Sequence, residues 1–469
     1  MADLKCFDVA IIGAGPAGMS AALECCRNLS VVVFDEQGRA GGQIFRQPPP
    51  HPSVQVNSPA CRLYPFGDVL VRKAEAESRI DWRFRQTVWG IFPDEDRIRV
   101  CTNKTTVLAR KTLVATGAYE MPVAFPGWTL PGVMGVGAIQ TLLRSQNVLL
   151  GRRFVLAGSH PLLILVADML LAAGAEIQEV AIARSRPRFR EILDGLLAVP
   201  GNIPIFKETA SSLYKLTKAR VSIRFGRIMV EARGNEEGLT HVTLSDCDRD
   251  WIPSGAHRVF ETDILGTGFG LLPSTELCRQ IGCATQWDSR NGGWIVKHDG
   301  FQRTTVRNVY VAGEPAGIRG AASARTEGEL AGLMIVQDLI PQRRDDRLIR
   351  RNLSQTKRNR KFSDRVAKFF QPNMRALSDL ASDGTVICRC EDVKRSAVTK
   401  FLERNSHTTS INSVKLACRT GMGFCQGRYC HHTLAQILSN ATSQPVERCG
   451  EFTARVPIKP ISARDLSDV

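Results

Sequence analysis

No Cys-X-X-Cys pair occurs anywhere in the 469 residues, which disfavours the thiol–disulfide exchange that such a motif carries. Cys25 and Cys26 are adjacent, and Cys278 and Cys283 are separated by four residues, so neither pair substitutes for it. Long apolar runs are also missing. The most apolar stretch, Phe154 to Ile177, is interrupted by His160 and Asp168 and reads as a strand, a turn and a helix, not a membrane span. The start, Met1-Ala2-Asp3-Leu4-Lys5, runs into a strand without the basic, apolar and small-residue segments of a signal peptide. A cytoplasmic chain is expected, attached to a membrane at most peripherally and through partners. Fourteen cysteines in a chain of this length do not form the disulfide framework of a small secreted domain. Cys25, Cys26, Cys61, Cys101, Cys247, Cys278, Cys283 and Cys449 are scattered and read as small buried hydrophobes.

What is present begins with length and charge. A chain this long exceeds one ordinary core and suggests about three domains. Hydrophobic residues make up 43% and charged residues 23%, as in ordinary globular proteins. The net charge is +16, and half of it is local: between Arg343 and Lys368 there are 11 Lys and Arg against 3 acids. This segment predicts a solvated linker helix, with docking to an acidic partner as the second reading. No nucleic-acid-binding motif accompanies it.

Residues Asp8 to Ile12 form an apolar strand. Gly13-Ala14-Gly15-Pro16-Ala17-Gly18 follows, then a helix from Pro16 to about Asn28, and a second strand, Val31 to Phe34, that ends in Asp35-Glu36. This βαβ order gives the glycine motif its meaning. The first glycine permits a tight turn, the second lets backbone approach a pyrophosphate, and the third lets helix and strand pack closely. An acid at the end of the second strand bonds a ribose hydroxyl. Strand alternation lets only one of Asp35 and Glu36 do so, and Glu36 is the candidate. Gly42 and Gln43, in Gly41-Gly42-Gln43, can bring backbone against the same cofactor.

A second βαβ pattern spans Arg153 to Ala183, but its turn, Gly158-Ser159-His160-Pro161-Leu162-Leu163, keeps only the first glycine. The next strand ends in Ala183-Arg184, with no acid for a ribose. NAD(P) binding is not expected there. Segments near Val221 to Val230 and His241 to Leu244 suggest an antiparallel insert, and the prolines after Gln444 suggest a tail along the surface.

Near the other end, Cys388 and Cys390 are separated by 34 intervening residues from Cys425, which is followed by Cys430. The interval fits two short helices, one over Val398–Glu403, and a further helix over His432–Leu438 follows the last thiol. Gly421, Gly423 and Gly427 make the second loop supple, so that amide N–H groups can turn toward cluster sulfurs. Arg389, Arg419 and Arg428 would offset thiolate charge. Four thiolates also suit a structural zinc; the intact glycine turn elsewhere in the chain favours a redox cluster. Cys418 is a fifth thiol nearby.

Val309 to Gly313-Glu314 resembles the last strand of two-dinucleotide-binding-domain flavoproteins, which normally ends in Gly-Asp; the acid there contacts the flavin's ribityl chain. Glu314 is one methylene longer. Ala115-Thr116-Gly117 and Gly266-Thr267-Gly268 resemble internal glycine motifs of the same proteins, placing Thr116, Gly117, Gly313 and Glu314 at the cofactor. The segment Val386–Val393 with Gly421–Cys430 resembles the iron–sulfur domain typified by bacterioferritin-associated ferredoxin, with a wider second cysteine spacing. Together with Gly41–Arg46, Pro126-Gly127-Trp128 and Pro131-Gly132-Val133, the whole chain resembles the family of opine oxidase A-type subunits. Hydrogen cyanide synthase B subunits and the alpha subunits of hydroxyproline and dye-linked proline dehydrogenases belong with them.

The resemblance implies an α/β fold: a Rossmann-like FAD domain (1–125 and 262–340) with an inserted NAD-binding-like domain (126–261). A basic linker (341–384), a helical 2Fe-2S domain (385–440) and a tail (441–469) follow. It implies FAD, one 2Fe-2S cluster held by Cys388, Cys390, Cys425 and Cys430, and a partner resembling amino-acid oxidases. Electrons would pass on to a small ferredoxin-like subunit or to a respiratory-chain acceptor. The expected activity is oxidation of a C–N bond in an opine or amino acid, within the complex. The alternatives are a stand-alone NAD(P)H-dependent acceptor reductase and the FAD subunit of a glycine-oxidising cyanide synthase. A substrate clamp is not evident in this chain; Arg46 and Tyr119 are the polar candidates, and no catalytic residue is identified.

Overall fold

The computed structural model describes residues 4–47, 63–189, 191, 195, 197 and 199–467. The chain forms two compact units. One comprises Met1–Tyr119, Leu271–Lys368 and Thr453–Val469, and the other Glu120–Gly270 and Phe369–Phe452.

The first unit is built on β1 (Cys6–Ile12), β2 (Val31–Asp35), β3 (Ile80–Phe84), β4 (Val88–Asp94), β5 (Arg97–Thr102) and β6 (Thr106–Val114). The sheet order is β3-β2-β1-β6-β5-β4, and Val309–Val311 lies along the end of β6. Strands β3, β2, β1 and β6 run parallel, whereas β4, β5 and β6 form an antiparallel meander. Both faces of the parallel part are buried, which is why its strands are continuously apolar. Val9, Ile11, Val31, Val33 and Leu113 enter one core, and Ala10, Ile12, Val32, Phe34 and Val114 enter the other. Each large aliphatic side chain so buried stabilises the fold by about 1.5–3 kcal/mol.

Helix α1 (Pro16–Cys25) covers one face together with the helix Gly320–Leu339. They approach closely because Gly328 has no side chain: a Cβ there would lie 2.1 Å from the Ala17 carbonyl oxygen. The helix Gly320–Leu339 starts where Glu314 satisfies its first amides, as described below.

The basic segment is a 25-residue helix, Asp346–Phe370, with one side packed into the unit. Its Ile349, Asn352, Thr356 and Ser363 are buried. Asn359 Nδ2 donates to Ala322 O at 3.0 Å and Ser363 Oγ to Arg319 O at 2.7 Å, tying it to the helix Gly320–Leu339. The cations at 347, 350, 351, 357, 358, 361, 365 and 368 remain exposed. The tail also differs from a surface strip. Ile458 is buried in the core of this unit, and its N–H donates to Trp89 O at 2.9 Å.

The second unit contains a five-stranded parallel sheet in the order Ile223–Phe225, Glu176–Ile182, Arg153–Gly158, Ile264–Gly268, Val133–Gly135. An antiparallel sheet of Arg227–Asn235, Gly238–Cys247 and Pro253–Glu261 accompanies it, which is the expected insert with one more strand. The cysteine-bearing segment folds as a short strand pair, Val386–Cys388 and Val393–Lys394, with helices Arg395–Arg404, Ile411–Cys418 and His431–Thr442. Val398, Leu402, Ile411, Val414, Leu434 and Leu438 are buried. The helix Ile411–Cys418 is the second of the two short helices that the interval between the thiol pairs fits, and its position was not assigned from the sequence. Ser410 begins it, its side chain accepting from Asn412 N.

Candidate functional site

The glycine turn forms as its spacing predicts. Gly13 sits at φ +109, and a Cβ there would lie 2.3 Å from the Ala115 carbonyl oxygen, so no other residue fits. Gly15 has only the Gly42 backbone near it, leaving its own backbone open to a ligand. Pro16 and Ala17 begin α1, whose first amides lack intrahelical partners and present positive potential.

Asp35 and Glu36 part company at the strand end. The Asp35 carboxylate accepts from Ala14 N and from Gln37 N, both at 2.7 Å. It fixes the turn from within, and burial raises its pKa against the pull of those two amides. Glu36 is directed outward and pairs with Lys459. Sequence reasoning missed the role of Asp35, because β-strand alternation says which residue differs from its neighbour but not which backbone groups await it. Gln43 Nε2 donates to Ala118 O at 2.8 Å, and Thr116 Oγ1 to Ser274 O at 2.7 Å, so the Thr116 hydroxyl is engaged in the fold. A Cβ at Gly117 would meet open space. The buried Nε of Arg46 has no hydrogen-bond partner among the described residues. Tyr119 lies on the short strand Ala118–Glu120.

Glu314 uses its extra methylene to fold back onto the helix that follows. Its carboxylate accepts from Arg319 N at 3.0 Å and Gly320 N at 3.1 Å. Burial pushes its pKa up to about 7, against the lowering effect of those amides. Gly313 donates its N–H to Glu327 Oε2 at 3.1 Å. Glu327 is fully buried and is held from the other side by Arg360; neither residue stood out in the sequence. Open backbone at Gly15 and Gly117, an amide-bearing helix start and the orphaned Arg46 Nε all fit a bound dinucleotide such as FAD.

The second glycine turn is differently disposed. Ser159 N and His160 N both donate to Gly268 O, at 2.9 and 3.0 Å. His160 Nδ1 accepts from Leu162 N at 3.3 Å, and burial depresses the His160 pKa to about 4. Leu163 fills the core. Arg184 Nη1 donates to Phe369 O, and Nη2 pairs with Glu191. The amides that would cradle a pyrophosphate are thus committed to the protein's own carbonyl.

The four C-terminal thiols come together as unbridged cysteines. Cys388 and Cys430 hydrogen-bond through sulfur, and so do Cys390 and Cys425. The bond from Cys430, then the amides of Gly421, Glu391 and Cys390, bring the Cys388 thiol down to about 6 while Cys430 is pushed up. The Gly421 N–H lies 3.5 Å from Cys388 Sγ. The expected glycine donor to a sulfur is therefore in place. Pairwise association fits two irons, each taking two thiolates. A single zinc instead needs four sulfurs about 2.3 Å from one point.

Cys418 stands apart: it is half-buried at a helix end, and burial alone raises its pKa. Arg419 pairs with Glu391 at 3.0 Å, so its charge is already compensated instead of facing the thiols. Trp128 anchors the segment, its buried indole Nε1 donating to Val386 O at 2.6 Å, two residues before Cys388. Cys25, Cys26, Cys101, Cys278, Cys283 and Cys449 are buried and Cys247 is half-buried, and Cys61 lies outside the described residues.

Comparison with known proteins matches residues 7–328 to "Pyridine nucleotide-disulphide oxidoreductase" and residues 386–440 to "BFD-like [2Fe-2S] binding domain". The hydrogen cyanide synthase subunit HcnB of Pseudomonas aeruginosa is 34% identical, over 96% of both chains. The A-type opine oxidase subunit of Agrobacterium tumefaciens is 31% identical, over 98% of this chain and 91% of that one. Among solved structures, the L-proline dehydrogenase from P. horikoshii superposes with a TM-score of 0.69 at 20% identity, covering 99% of this chain and 81% of that one.

Proposed function

The chain belongs to the pyridine nucleotide-disulphide oxidoreductase family and carries a BFD-like [2Fe-2S] binding domain, and from that premise we propose that it is the electron-transfer subunit of a heteromeric dehydrogenase. The complex oxidises a C–N bond of an opine or amino acid, giving an imine that hydrolyses. When bound, FAD supplies two-electron acceptance with one-electron release, and a [2Fe-2S] cluster supplies one-electron transfer. Gly13, Gly15, Pro16, Ala17 and Gly18 present the α1 amides to the cofactor's pyrophosphate, with Gly42 and Gln43 beside them. Thr116, Gly117, Gly313 and Glu314 line the same site. Asp35 holds the turn, and Glu36, which pairs with Lys459, is the acid for the ribose. Cys388, Cys390, Cys425 and Cys430 hold the cluster.

One observation carries the reading: a complete flavin turn and a paired thiol quartet share a chain whose second nucleotide turn has its amides committed to Gly268 O. That commitment favours a relay fed by a partner over a reductase fed by NAD(P)H. The relatives' names, which are those of opine oxidase and hydrogen cyanide synthase subunits, support amine-type substrates and an assembly. The chain is taken to act in the cytoplasm; among its described residues no helix is long and apolar enough to cross a membrane.

An affinity-tagged chain is expected to co-purify with an amino-acid-oxidase-like protein. The anaerobic complex should lose its flavin absorbance on addition of an opine or amino acid. Rapid bleaching of the isolated holo-chain by NADH would sink this reading in favour of the stand-alone reductase.

A further inference from the structure

The loop carrying Cys425 and Cys430 exposes large apolar side chains beside its thiols. Phe424 is 82% exposed, Tyr429 48% and Met422 38%. They have no room on the inner side of the loop. A Cβ at Gly421 or at Gly427 would lie 2.6 or 2.2 Å from the buried Phe452 ring, so that ring already fills the space beneath. Gly423 is pressed against Cys390, since a Cβ there would come within 2.3 Å of Cys390 Cβ. Gly423 stands between Met422 and Phe424 in the chain, and Cys390 is itself exposed. Arginines stand beside them: Arg389 is exposed and Arg428 Nη1 donates to Cys425 O at 3.3 Å, whereas the charge of Arg419 is met by Glu391.

We propose that Met422, Phe424 and Tyr429 form the docking face through which this chain exchanges single electrons with a redox protein that has an apolar centre and an acidic rim. The inference rests on reading the quartet as a [2Fe-2S] centre. Each encounter moves one electron: a reduced cluster loses it, and the partner's one-electron centre gains it. An apolar centre inside a charged rim is how small specific interfaces are built, and short-lived redox encounters fall at the small end of interface size. A second copy of the chain would set one cationic rim against another. A lipid surface would cover the exposed end of the quartet and isolate it.

The test uses the full holo-chain, wild type and Phe424→Ser/Met422→Ser, reduced anaerobically. Stopped-flow oxidation is followed with an acidic c-type cytochrome, and separately with ferricyanide, which needs no docking face. The expected result is a loss of about tenfold in the second-order rate with the cytochrome, an unchanged rate with ferricyanide, and an unchanged cluster spectrum. An unchanged cytochrome rate overturns the docking face. So does a wild-type dimer that the substitutions turn into a monomer in sedimentation, or binding to phosphatidylglycerol vesicles that they abolish. If the wild-type chain lacks a [2Fe-2S] spectrum, the reading of the quartet fails instead, and the two failures are thereby distinguished. If the variant spectrum changes, Tyr429→Ser alone is compared in the same way, and an unaltered cytochrome rate there also overturns the proposal.

Discussion

Arg360 donates to Glu327 through Nε at 3.0 Å and through Nη2 at 2.9 Å, while the other oxygen of Glu327 receives the Gly313 N–H. One fully buried carboxylate thus joins the basic helix to the strand end proposed to line the flavin site. Arg360→Ala strands that charge and should cost about 3 kcal/mol, the lower end for such losses because the arginine is partly exposed. The accompanying expectation is loss of flavin during gel filtration. Chemical denaturation and the flavin-to-protein ratio check both. Arg360→Ala/Glu327→Gln removes the stranded charge and should recover part of the stability.

Gly423→Ala should prevent cluster assembly, because its Cβ would fall 2.3 Å from that of Cys390, far inside van der Waals contact. Iron and acid-labile sulfide analysis is the measurement. Flavin content should not change, so a normal cluster in this variant would contradict the loop geometry.

Cys388, Cys390, Cys425 and Cys430 should each abolish the cluster when replaced by Ala, whereas Cys418→Ser should retain it. The contrast follows from the mutual sulfur hydrogen bonds of the four and the isolation of Cys418. Electron paramagnetic resonance of the dithionite-reduced chain separates the two classes.

Glu314 gives the flavin-free chain a pH dependence. Its folded pKa is raised to about 7 from an ordinary 4.5, so its contribution is fully present below about 4.5 and is lost as pH rises toward 7. Stability of the flavin-free protein should fall over that window and flatten above it. Glu314→Gln should lack this component when the two are compared by denaturant titration at pH 5 and pH 8.

Trp128→Phe removes the indole donor to Val386 O. A loss of about 1–3 kcal/mol is expected, because the carbonyl is left without that partner. Thermal unfolding followed by cluster absorbance reads it. The cluster signal should be lost at a lower temperature than in the wild type.

Residue order alone fixed the βαβ start, the glycine turn and the four thiols, since each depends on local backbone geometry or on rare residue types at close spacing. The damaged second turn was equally legible: His160 and Leu163 occupy positions where a side chain interferes. Helix ends were less so. Glu314 sets the start of Gly320–Leu339 through the Arg319 and Gly320 amides, and Ser410 sets where the second helix between the thiol pairs begins. The tail's Ile458 and the indole of Trp128 find their partners hundreds of residues away, and no local pattern encodes such a pairing.

What the sequence by itself determined is the chemistry available: a dinucleotide turn, a thiolate quartet, and no redox Cys-X-X-Cys. Only the tertiary structure decided how those groups are committed. It spent Asp35 on the turn, the Ser159 and His160 amides on Gly268, and Arg419 on Glu391. It buried Glu327 between Gly313 and Arg360, and it left Phe424 in solvent beside the thiols. The physical reason is that a hydrogen-bonding group or a charge has many eligible partners in sequence, and packing selects one by bringing it within about 3 Å.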